Sequence, residues 1–65
     1  MLKFKKDKML DIWVAKTDKH EYVIEKDSCN GLYYVYIDEN NKYAKYATVK
    51  TLSTAKKYAT EHYNK

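Results

Sequence analysis

Three side chains in this sequence are of the types that make or break bonds: His20, Cys29 and His62. Their spacing argues against it. A nucleophile needs a base within hydrogen-bond reach, and no Cys-His, Ser-His-Asp or His-x-x-x-His arrangement is present. His20, at the start of an expected strand, reads as solvent-exposed, and His62, near the end of an expected helix, as a complement to the helix dipole. One cysteine and two distant histidines fall short of a metal-ligand set. Asp27 next to Cys29 disfavours the thiolate that redox chemistry needs. Glu21 and Glu25 share a strand face and Asp38-Glu39 closes a strand. On an open sheet such carboxylates solubilise and discourage edge pairing rather than act as general acid and base. The expectation is no enzyme, no catalytic residue, no metal, no cofactor and no small-molecule substrate.

Binding chemistry is better supplied. The net charge of +4 comes from lysines alone, 13 of them against nine carboxylates. With no arginine, bidentate contacts to guanine or phosphate are missing, and the lysines can act only as point charges on a nucleic-acid backbone. Lys3, Lys5, Lys6 and Lys8 lie at the N-terminus with Leu2 and Phe4 interleaved, and Lys50, Lys56 and Lys57 surround an expected helix start, where free amides favour an anion. Eight tyrosines are the largest excess in the composition. Tyrosine serves as core, as a stacking platform for bases, or as an anchor on a protein-binding surface.

These side chains have to be positioned by a small fold. Sixty-five residues make one domain, 1–65, and folding at this size buries only about 60% of the unfolded chain's surface. At 45% hydrophobic the chain is too apolar for disorder, yet no apolar run approaches the roughly 18 residues of a membrane span. The central stretch is Gly31 to Asp38, which reads as a strand apolar on both faces. Leu10 to Thr17 and His20 to Lys26 precede it as strands joined by a two-residue Asp18-Lys19 turn, and Tyr43 to Lys50 follows as a weaker one. The fold class expected is α+β, a three- to four-stranded antiparallel meander over 9–50 with one C-terminal helix over 52–63 packed on one face. Residues 1–8 read as a flexible basic arm. Ser53 is the expected helix cap, with Leu52 just ahead of it as a staple.

Two-residue turns at Asp18-Lys19, Asn30-Gly31 and Asn40-Asn41 would set 15 opposite 22, 13 opposite 24, 24 opposite 37, 26 opposite 35, 37 opposite 44 and 35 opposite 46. That collects Trp13, Ala15, Tyr22, Ile24, Tyr33, Val35, Ile37, Ala44 and Tyr46 beneath Leu52, Ala55, Tyr58 and Ala59 as the core. The opposite face then carries Ile12, Val14, Tyr34, Tyr36, Tyr43 and Lys45 with Lys16, Glu21, Val23 and Glu25. One helix cannot cover both faces, so this one stays partly wet or meets a partner.

Three strands and a helix, with Trp13 early and the run Tyr46-Ala47-Thr48-Val49-Lys50-Thr51-Leu52-Ser53-Thr54-Ala55-Lys56-Lys57-Tyr58-Ala59 late, resemble the arm-type and AP2-like DNA-binding domains of phage and transposon integrases. That resemblance implies a sheet that enters the major groove. The chain departs from the pattern by lacking arginine on the sheet and carrying glutamates there. It also resembles small phage-encoded accessory proteins that bind and inhibit a host protein. Lysine, asparagine and tyrosine in excess fit AT-rich coding in a low-GC bacterium or its phages. No signal peptide is visible and the lone cysteine fits a reducing compartment, so the expected location is the cytoplasm of a bacterial host cell.

Two functions follow as expectations. The first is a nucleic-acid-binding module, DNA ahead of RNA, using Lys3, Lys5, Lys6, Lys8, Lys45, Lys50, Lys56 and Lys57 on phosphates and Tyr34 and Tyr36 on bases. The alternative is a module that binds a host protein, or a second copy of itself, through Ile12, Val14, Tyr34, Tyr36 and Tyr43.

Overall fold

A two-residue hairpin turn without glycine needs support from its flanks, and Thr17 supplies it. Its hydroxyl accepts from the amides of His20 (2.9 Å) and Lys19 (3.2 Å) and donates to the His20 carbonyl (2.7 Å). The Thr17 amide donates to the same carbonyl at 2.9 Å. This knot fixes the register of β2 (Ile12–Lys16) against β3 (Glu21–Lys26), with Ala15 opposite Tyr22 and Trp13 opposite Ile24 as the turn length predicts.

The computed structural model describes residues 2–39 and 42–65. It is an α+β fold, a five-stranded antiparallel sheet in the order β1-β2-β3-β4-β5 with one C-terminal helix. Besides β2 and β3 the elements are β1 (Lys5–Asp7), β4 (Tyr33–Glu39), β5 (Lys42–Val49) and α1 (Leu52–Tyr63). Among the described residues no helix is long and apolar enough to cross a membrane.

The fifth strand is β1, and it lies in the segment expected as a loose arm. Lys5, Lys6 and Asp7 pair with Val14, Trp13 and Ile12. Leu2 and Phe4, half-buried, pack against the core. Those two apolar side chains gain burial only if the backbone between them and β2 is held, which is why the arm is seated. Asp7 closes the connection by accepting at its carboxylate from the Met9 amide (2.9 Å) and the Leu10 amide (3.4 Å). Leu10, expected as the start of a strand, is therefore in the turn and 58% exposed.

The β3–β4 connection is wider than a two-residue Asn30-Gly31 turn. The Asp27 carboxylate accepts from the Cys29 amide (2.9 Å), and the Asn30 side chain accepts from the Leu32 amide (3.0 Å). Gly31, at φ 71°, takes the left-handed conformation that turns the chain back into β4. The register moves by two residues: Ile24 faces Val35 and Lys26 faces Tyr33, not 37 and 35 as expected. An even shift leaves every side chain on its expected face.

The turn expected at Asn40-Asn41 lies outside the described residues. On either side of it Glu39 pairs with Lys42 and Ile37 with Ala44. Further along, a β-bulge opens between Val35 and Tyr36, so that Val35 faces Ala47 rather than residue 46. Tyr46, expected in the core, is 40% exposed, and Val49 is buried in its stead. Ala44 is likewise exposed.

The core is Ala15, Tyr22, Ile24, Val35, Ile37 and Val49 beneath Ala55 and Ala59. The two alanines are fully buried and let α1 lie close on β3, β4 and β5. Tyr58, expected among them, is 40% exposed. The helix cap is Thr51, not Ser53. Thr51 has the extended backbone of a cap (φ −134°, ψ 154°), and its hydroxyl accepts from the Thr54 amide at 3.2 Å. Ser53 and Leu52 are already helical.

Candidate functional site

Strand alternation sends Ile12, Val14, Val23, Tyr34 and Tyr36 away from the helix, and nothing in the described chain covers them. Cross-strand pairing arranges this face in rows. One runs Lys5, Val14, Val23, Tyr36, Lys45, and its neighbour runs Asp7, Ile12, Glu25, Tyr34, Thr48. Ile12, Val14, Val23 and Tyr36 floor a hollow of about 380 Å³ whose rim is Glu21, Glu25 and Tyr43. The four floor residues are half-buried, whereas Tyr43 is 53% exposed.

The tyrosines of this face differ in freedom. The Tyr34 hydroxyl donates to the Asp27 carboxylate (2.9 Å) and accepts from the Asn30 side chain (3.3 Å), while the Lys45 ammonium lies 4.5 Å from its ring centroid. With one ring face taken by a cation and its hydroxyl fastened, Tyr34 is a fixed wall. Amides and side chains around Asp27, the Cys29 amide first and the Tyr34 hydroxyl next, hold its carboxyl below the ordinary carboxylate value. Burial raises the Tyr36 hydroxyl above its ordinary value, and the Glu25 charge adds to this. Tyr43 is raised too, by burial first, then by its hydrogen bond to Glu21 and the charges of Glu21 and Asp38.

Charge on the open face is close to balanced. Lys5, Lys16 and Lys45 stand with Asp7, Glu21, Glu25 and Asp38, three lysines against four carboxylates. The other ten lysines and five carboxylates lie elsewhere, so the basic excess is on the helix side and the loops.

The candidate nucleic-acid residues do not form one surface. Lys5 and Lys45 are on the open face with Tyr34 and Tyr36, whereas Lys6 is on the helix face, 5.6 Å from the Trp13 ring. Lys3 lines a hollow of about 310 Å³ with Leu2, Lys16 and Tyr63. Lys8 is exposed in the β1–β2 turn and Lys50 ahead of the helix. Lys56 and Lys57 line a third hollow of about 360 Å³ with Leu2, Ser53, Thr60 and Glu61. Ile12, Val14, Tyr34, Tyr36 and Tyr43 are all on one face.

Sequence reasoning misses one cluster. His20 and His62, taken separately above as a solvent-exposed and a helix-end residue, have ring centroids 5.4 Å apart where the helix end meets the sheet. The Tyr22 hydroxyl is 2.9 Å from His62 Nδ1, a hydrogen bond whose donor is set by the imidazole tautomer. His20 Nδ1 donates to the Asp38 carbonyl at 3.1 Å, and the Tyr46 ring lies 5.1 Å from that of His62. No spacing in the sequence announces this meeting, because it depends on the length of β5 and on how α1 lies across the sheet. The cluster fastens the last turn of the helix. Among the described residues no three His, Cys, Asp or Glu side chains group to hold a metal ion.

Burial raises the Tyr22 hydroxyl above 10.0, with Tyr63, Glu39 and Tyr46 adding to it. The unfolded chain would ionise this group first. Its contribution to stability is therefore complete below about pH 10 and is lost as pH rises through the higher folded value. The urea midpoint is expected to fall above about pH 10, and Tyr22→Phe should make that fall shallower. A fall of the same steepness in Tyr22→Phe would show that Tyr22 is not responsible.

No protein-family model, no curated protein and no solved structure matches the chain.

Proposed function

We propose that this chain is a non-enzymatic module that binds another protein through the open face of its sheet. The observation that supports the reading is the hollow over Ile12, Val14, Val23 and Tyr36 with its rim of Glu21, Glu25 and Tyr43. An apolar centre inside a polar margin is the anatomy of a protein interface. A hollow of about 380 Å³ has room for one or two side chains of a partner. Balanced charge on this face gives a polyanion no net attraction, while the glutamates at the rim favour a partner with an apolar anchor flanked by lysine or arginine.

A second reading, nucleic-acid binding, is favoured by a different observation. Lys50, Lys56 and Lys57 are exposed around the start of α1, on the side of the molecule that carries the basic excess. Phosphate contacts there would not involve the open face.

Paired variants separate the two. Val23→Lys puts a charge into the floor of the hollow, and Lys56→Glu with Lys57→Glu reverses the helix charge. Wild-type and variant chains would be immobilised and exposed to a bacterial lysate, then titrated with a mixed-sequence DNA duplex. A protein retained by the wild type and by the helix variant, but bound at least about 30-fold more weakly by Val23→Lys, supports the open-face reading. Retention indifferent to Val23→Lys overturns it. Duplex binding that falls steeply with salt and is lost in the helix variant supports the second reading.

A further inference from the structure

The outer strand β5 is eight residues long and forms one margin of the sheet, whereas the opposite margin, β1, has only three. A long edge presents a row of unpaired backbone donors and acceptors, which proteins ordinarily blunt by shortness, lysines or a bulge. In β5 the bulge leaves Tyr46 without a partner on β4, so Lys42 to Lys45 run in regular alternation against β4 and Tyr46 follows them as the bulged residue. Tyr43 and Lys45 point to the open face, while Lys42, Ala44 and Tyr46 point to the helix face. All five are exposed, and Tyr43 and Tyr46 are among the few large exposed apolar side chains of the molecule, at 53% and 40%.

We propose that a second copy of this chain pairs with the Lys42–Tyr46 edge, antiparallel and centred on Ala44. A dyad perpendicular to the sheet keeps like faces together, so it can pass only through a residue that meets its own twin. Centring on Lys42 or on Lys45 sets lysine against lysine, and centring on Tyr43 leaves Lys42 facing Ala44. Centring on Ala44 sets Tyr43 opposite Lys45 of the second copy and Lys42 opposite Tyr46. Every lysine of the segment then meets an aromatic ring, the pairing already made within one chain by Lys45 and Tyr34 at 4.5 Å. The small side chain at the dyad lets the edges approach. The lysines that would guard this edge against other strands thus select its own copy. The result is a continuous ten-stranded sheet with both helices on one side and both open faces on the other. Tyr43 and Lys45 lie on the open face, Tyr43 at the rim of its hollow, but mass and cross-linking of the chain alone read the pairing whatever the floor of that hollow binds.

Five residues a side bury less than the roughly 1,600 Å² of a standard interface, so dissociation is expected on the order of 100 µM. Sedimentation over roughly 10 µM to 1 mM should show mass rising with concentration. Tyr43→Lys, which sets lysine against Lys45 of the second copy at an exposed position, should weaken association at least about tenfold. Register is tested by oxidation in a Cys29→Ser background. Ala44→Cys should cross-link to itself, since directly opposed Cα atoms are about 4.5–5.5 Å apart. Lys42→Cys alone should not, its twin being about 13 Å along the edge. Lys42→Cys mixed with Tyr46→Cys should yield the mixed dimer. A mass independent of concentration overturns the proposal, as does Lys42→Cys coupling to itself as readily as Ala44→Cys.

Discussion

Ile24→Ala is expected to lower the stability of the fold by about 2–5 kcal/mol, while Val23→Ala, one residue away, should change it by less than about 1 kcal/mol. Ile24 is fully buried between the sheet and α1, and truncating such a side chain costs about 2–5 kcal/mol. A domain of this length has roughly 3–10 kcal/mol to lose. Val23 faces the open hollow, where water can fill the space its methyls leave. Urea unfolding followed by circular dichroism measures both variants. Equal costs would mean that the two faces of the sheet have been exchanged, and the open-face reading would go with them.

The second large effect is expected from removing residues 1–7. An unattached arm could be deleted without consequence, but here β1 carries three backbone pairs to β2, and Leu2 and Phe4 lie against the core. Losing that half-buried apolar surface and the strand pairing should cost about 2–4 kcal/mol. Lys3→Ser with Lys8→Ser, which removes charge and leaves the apolar pair, should stay within about 0.5 kcal/mol of wild type. The two measurements together distinguish a seated strand from a basic tail. If the truncated chain keeps its thermal midpoint, β1 adds nothing to the fold.

Much of this architecture is readable from period-two alternation. Tyr22, Ile24, Val35 and Ile37 alternate with Glu21, Val23, Glu25, Tyr34, Tyr36 and Asp38, and the faces they define survive even where the loop register differs. That robustness has a simple cause. Replacing a two-residue turn at Asn30-Gly31 by the wider loop from Asp27 to Leu32 changes the offset by an even number, which preserves sidedness. The bulge in β5 is different. It inserts one residue, an odd step, and so exposes Tyr46 and buries Val49 instead. Nothing local distinguishes Tyr46 from Tyr22, because the bulge is settled by the need to bring Val49 under the helix. The seating of the N-terminal segment is hidden for a related reason: four lysines near the N-terminus mask the two apolar residues, Leu2 and Phe4, that pack against the core. Ile12, Val14, Tyr34, Tyr36 and Tyr43 could be assigned to one surface from alternation alone. The meeting of His20 with His62 could not, since 41 residues separate them in the chain.

Trp13 is the sole indole in the chain, with the Lys6 ammonium of β1 5.6 Å from its ring and the Tyr33 ring of β4 at 5.9 Å. Its emission colour therefore depends on whether β1 is docked, and the molecule carries its own optical gauge of that margin. Fraying of the N-terminal strand can be followed in the unlabelled protein, separately from the melting of the helix, which lies on β3, β4 and β5.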